Sequence, residues 1–236
     1  MSYVKLDPTV KVENSINKSM QALNEARENL KKNDYRGIAK ISNGNAKMGS
    51  IPSVSTLPLI TCPAVCKSSC GADCYAARDI NRKPNVLNSY AYNTALALDN
   101  MDLYFSSISM ACAMFRFFRW HVSGDIINKK YFCGMVTVAN NNPHCEFLAF
   151  TKRYNVVNDW IAENGDLPKN LHIIFSGWFN LEPVNPYNLP VTNVFDNENP
   201  PAENWLVCGG NCTECICRGV GCWQLKNGDV LGIKKH

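Results

Sequence analysis

Cysteines stand at 62, 66, 70 and 74, with three residues between neighbours, within TCPAVCKSSCGADC. A second group, Cys208, Cys212, Cys215, Cys217 and Cys222, lies within LVCGGNCTECICRGVGCW, so nine of the twelve cysteines fall in two short windows. Thiolates are soft ligands that suit zinc and iron–sulfur clusters, and two such groups point to two metal sites. Structural zinc sites pair their ligands in close doublets, often with two residues between, and that spacing occurs once, at Cys212 and Cys215. The expected cofactor is therefore an iron–sulfur cluster of the four-iron type at one or both windows, with zinc as the alternative. In the second window the fourth ligand is either Cys217 or Cys222, and one larger cluster shared by both windows satisfies the spacing as well. Cys112, Cys133 and Cys145 lie in or beside apolar helical stretches and read as buried small residues.

These thiols need a body to hold them. At 236 residues, 46% apolar and 19% charged, the chain has the composition of a globular protein with a sizeable core. The N-terminus has no apolar run of signal-peptide length, and cysteine is too sparse for a disulfide scaffold, so a reducing cytoplasmic setting is expected. A net charge of +4, spread without a long basic run, does not indicate nucleic acid. No apolar stretch is long enough to span a bilayer; Met101 to Trp120 is broken by Asp102, Arg116 and Arg119.

The apolar pattern predicts an amphipathic helix over Val12 to Lys32, an N-terminal extension of residues 1–36. Residues 37–200 read as a β/α core: strand and loop pieces from Gly37 to Pro58, the first cysteine window, then helices over Val86 to Asp99 and Leu103 to Phe115 parted at Asn100. Pro63 and Gly71 make the first window a turn-rich loop that leads into a helix near Tyr75. Strands follow at FFRWHV, EFLAFTKR and LHIIFSGW, with helices over Asn128 to Ala139 and Tyr154 to Glu163 between them. Short strand–helix–strand connections imply parallel strands, hence an α/β fold built as a partial β/α barrel. Val191 to Phe195 is a further strand. Residues 201–236 carry the second window and a hairpin signalled by Asn227-Gly228. Nothing marks a flexible boundary, so a single domain is expected.

In such folds the active site gathers at the C-terminal ends of the strands. Those ends carry His121, Ser123, Gly124 and Asp125, then Thr151 and Lys152, then Ser176. The candidate catalytic residues are His121, Asp125 and Lys152; Ser123, Gly124, Thr151 and Ser176 are candidates for holding a cofactor. With FFRWHV as a strand, alternation sets His121 on the face opposite Trp120.

Two resemblances add to this. A cysteine loop ahead of a β/α barrel is similar in layout to radical enzymes that use S-adenosylmethionine, although those space three cysteines by three and then two residues. The ordered motifs NAKMGSIPSVSTLP, TCP, CYA, FFRWHVSGDI, FLAFTKRY, FSGW, NPYNLPV and a terminal CW resemble the gene product eighty-eight family of phages and bacterial mobile elements, from about Asn45 onward. That resemblance implies a cysteine-rich α/β protein, carries over Cys62, Cys74, Cys208, Cys212, Cys215 and Cys222, and brings no assigned activity. The expectation is an iron–sulfur redox or radical-type enzyme acting on a small molecule or fed by an electron donor. Its rival is a zinc-stabilised binding module, one that could take nucleic acid, whose contact surface is Arg116, Arg119, Trp120, Lys152 and Arg153.

Overall fold

The computed structural model describes residues 7–235. Helix α1, Pro8–Lys32, starts where Asp7 accepts from the Thr9 N–H at 2.8 Å and proline occupies the first turn, and it ends on Lys31 and Lys32. Its buried stripe, Val12, Ser15, Ser19, Ala22, Leu23 and Leu30, recurs at helical spacing and seats it on the body. Two short strands, β1 (Ile41–Ser42) and β2 (Ser53–Val54), precede the first cysteine window. That window is a short helix α2 (Val65–Ser68), a 3-10 turn at Gly71–Asp73, and the start of α3 (Tyr75–Arg82), as Pro63 and Gly71 predict.

Helices α4 (Pro84–Asp99) and α5 (Met101–Cys112) part at Asn100, whose side chain accepts from the Leu103 N–H at 3.1 Å and so starts the second helix. Strand and helix then alternate: β3 (Phe117–Trp120), α6 (Lys129–Asn141), β4 (Glu146–Thr151), α7 (Tyr154–Asn164) and β5 (Leu171–Ser176). The C-terminal third supplies β6 (Val191–Phe195), β7 (Leu206–Val207), α8 (Cys212–Cys217), a 3-10 turn at Cys222–Gln224, and β8 (Val230–Lys234).

The eight strands form one sheet in the order β1-β2-β3-β4-β5-β6-β8-β7, parallel throughout except for the β1–β2 pair. From β2 to β6 neighbours in space are neighbours in sequence, the order that repeated crossovers of one hand produce. Period-two alternation sorts the side chains. Val54, Phe118, Trp120, Phe147, Ala149, Ile173 and Phe175 enter the main core beneath α1 and α3 to α7. The opposite face carries Phe117, Leu148, Phe150 and Ile174, packed with Met48, Ile51 and Trp223. The sheet is thus helical on one side and covered by the cysteine-bearing C-terminal segment on the other.

Three expectations require correction. Asn227-Gly228 makes a turn but no hairpin: only β8 follows, and it pairs parallel with β6 and β7. The residues before the turn are held elsewhere, because Trp223 and Leu225 pack on the open face, Trp223 edge-on to Phe117 at 5.5 Å between ring centroids. Cys133 is exposed, whereas Cys112 and Cys145 are buried with their thiols in contact. Strand β3 stops at Trp120, and His121 adopts a left-handed φ of 54°. Its ring therefore leaves the strand alternation and lies beside Trp120 and Tyr131, centroids 6.0 and 5.5 Å away.

Candidate metal centres and strand-end site

Three of the first four thiols meet. Cys66 is buried and its thiol is in hydrogen-bond contact with those of Cys62 and Cys70, which raises its pKa strongly. The same contact lowers Cys70 to about 6 against the effect of burial, helped by the charge of Lys152 and by Ser69. Cys74 precedes the first residue of α3. Burial pushes it up to about 11, while the N–H groups of Ala77 and Ala76, unpaired at a helix start, oppose the rise.

The second foursome is Cys208, Cys212, Cys215 and Cys222. Burial raises Cys222 to about 12 and raises Cys212; in both, the nearby thiols of Cys208 and Cys215 add to the rise and the positive charge of Arg119 opposes it. Cys217 is exposed. It sits at the end of α8, whereas Cys222 is partly buried with Cys208, Cys212 and Cys215 near enough to raise it. The segment is pinned by the turn at Asn45 to Gly49: Cys212 N–H donates to the Lys47 carbonyl at 2.9 Å and Thr213 Oγ1 to the Met48 carbonyl at 3.1 Å. Asn45 shapes that turn by accepting from the Lys47 and Met48 N–H groups, each at 3.0 Å.

Both foursomes are all sulfur, the donor set of an iron–sulfur cluster or a soft ion. Among the described residues no group of three or more His, Cys, Asp or Glu is drawn tightly enough to hold a single metal ion as it stands. Next to Cys222 in sequence, the buried indole N–H of Trp223 lacks an acceptor among the described residues.

The strand-end residues come together as one network at the root of the first cysteine loop. Asp125 Oδ1 accepts from the Ile126 N–H at 2.7 Å and the Thr151 hydroxyl at 2.5 Å, and Oδ2 accepts from the Lys152 N–H at 2.8 Å. The Asp125 N–H donates to Thr61 Oγ1, next to Cys62, at 3.1 Å. Burial raises the carboxyl pKa and these donors pull it back. Ser123 Oγ donates to the Thr56 carbonyl, and Arg153 donates to the carbonyls of Ile126 and Thr61, all at 3.0 Å. At Gly124, with φ 80°, an added Cβ would lie 2.0 Å from Thr56 Oγ1, so only glycine lets the chain pass. Ser123, Gly124, Asp125 and Thr151 therefore spend their polar groups on one another and on the loop. Lys152 differs: half-buried, it donates from Nζ to Ser176 Oγ at 2.7 Å, and its charge acts on Cys70.

His121 belongs to the helical side. Its Nε2 is 2.9 Å from the Tyr131 hydroxyl, which is 2.8 Å from that of Tyr104, and all three residues are buried. Burial lowers the imidazole to about 3, with Arg119 adding to the effect, so it is neutral. Of the residues expected on a binding surface, Trp120 is fully buried and Arg153 is committed to two carbonyls.

Sequence reasoning gave Arg119 no part in the metal site, yet its charge reaches Tyr75, Cys212 and Cys222. The available signal was one arginine in the alternating run FFRW. Thr56 and Thr61 gave none, since their roles depend on partners more than sixty residues away. Among the described residues no helix is long and apolar enough to cross a membrane. A family model described as Gene product 88 matches residues 16–227, and the chain belongs to that family. Neither a curated protein nor a solved structure matches it.

Proposed function

We propose that this member of the Gene product 88 family is an iron–sulfur protein that carries out redox or radical-type chemistry on a small molecule at the strand ends. Cys62, Cys66, Cys70 and Cys74 would hold one four-iron cluster, and Cys208, Cys212, Cys215 and Cys222 a second. What supports this reading is two separate all-cysteine groups on one sheet, with the Cys66 thiol in contact with those of Cys62 and Cys70 and with Cys208, Cys212 and Cys215 near Cys222. When bound, such clusters supply one-electron transfer. Consecutive parallel strands with helices on one face read as an open β/α barrel, its uncovered wall filled by the second cysteine segment.

The protein's own groups have definable tasks. Asp125, Thr61 and Arg153 hold the root of the first loop against the end of β4, so the four thiols keep their place relative to the strand ends. Lys152 brings positive charge to Cys70 and favours its thiolate. The C-terminal segment excludes water from the open face through Trp223 and Leu225. The experiment is anaerobic iron and sulfide analysis of two variants. Cys222→Ser is expected to lose about half the iron, and Cys217→Ser to keep it all. Full iron in Cys222→Ser would overturn the second site.

A further inference from the structure

Arg119 projects from β3 on the open face. Its register partner Leu148 shares that face, as does Phe150, and Lys152, just past β4, reaches Ser176, which alternation with Ile174 sets on the same face of β5. The guanidinium carbon lies 4.3 Å from the Phe150 ring centroid, so the group leans toward the strand ends and is held flat on an aromatic face. Its Nε is buried without a hydrogen-bond partner. Among the described residues no carboxylate pairs with Arg119, and none with Lys152. A guanidinium has five donors in a rigid fork, and a partly buried one without an acceptor is costly unless an anion meets it.

We propose that Arg119, with Lys152 toward the strand ends, binds an oxyanion of the small-molecule substrate, a carboxylate or a phosphate. The inference rests on the redox reading above only for calling that anion substrate; the anion site stands on its own geometry. Bidentate donation from Arg119 would fix the handle, and the Lys152 ammonium, already oriented by Ser176, would add charge near Cys70.

The test is calorimetric titration of the full chain as isolated, at low ionic strength, with inorganic phosphate and separately with succinate. Wild type is expected to bind at least one probe saturably, and the better probe distinguishes phosphate from carboxylate. Arg119→Met, which preserves length and the apolar contact with Phe150, should weaken that binding roughly tenfold or more, with Arg119→Lys between. Lys40→Met removes a cation lying over the Tyr92 ring elsewhere, and should leave binding unchanged. Absence of saturable binding by wild type, or equal binding by a folded Arg119→Met, overturns the proposal. So does an Arg119→Met effect confined to a cluster's reduction potential, which would make the guanidinium a counter-charge for thiolates. Iron and sulfide content of the same samples reports separately on the redox reading.

Discussion

Asp125 shows how one carboxylate can organise a site without touching its chemistry. Both oxygens are occupied by three donors, two of them backbone N–H groups. Asparagine keeps the size but must turn an NH2 toward a donor, leaving a backbone N–H without its acceptor. Asp125→Asn should therefore cost about 1–3 kcal/mol in denaturant unfolding, and unchanged stability would show that the network does not anchor the loop. His121 makes a second residue-level prediction. Its folded pKa of about 3 lies below the ordinary 6.5, so on acidification the unfolded chain takes up a proton that the folded chain refuses. The contribution is complete above about pH 6.5 and is lost as pH falls toward the folded value, amounting to about 2 kcal/mol between about pH 7 and 5. His121→Asn, which tolerates the left-handed backbone, should lack that part of the slope. Parallel stability–pH curves for the two proteins would mean that the imidazole titrates freely.

At the scale of elements, the helical layer depends on close approach. Gly134 in α6 faces Phe105 in α5, where an added Cβ would lie 2.3 Å from the ring. Gly134→Ala should destabilise by about 1–3 kcal/mol in spite of the better helix propensity, and a stabilised variant would contradict the α5–α6 packing. The elements themselves were legible in sequence because they rest on local signals: apolar spacing for α1, the Asn100 break, and strands bounded by polar ends. What escaped was long-range. The terminal hairpin failed because Trp223 is claimed by Phe117, a hundred residues earlier. The facing of His121 failed because one left-handed residue breaks alternation. Likewise, spacing alone left Cys217 and Cys222 equivalent, whereas the fold exposes one and turns the other inward.

Across the whole molecule, the two cysteine windows are more than a hundred residues apart and are carried by one sheet. The first sits at the strand ends, rooted through Thr61 to Asp125. The second covers the open face, pinned to the Asn45–Gly49 turn and to β3 through Trp223. The charge of Arg119 is felt at Tyr75, next to Cys74, and at Cys212 and Cys222. The most direct test of the central claim is anaerobic purification followed by iron, zinc and acid-labile sulfide determination per chain. Two four-iron clusters require a brown protein with about eight irons and about eight sulfides. A colourless protein with stoichiometric zinc and no sulfide would contradict it.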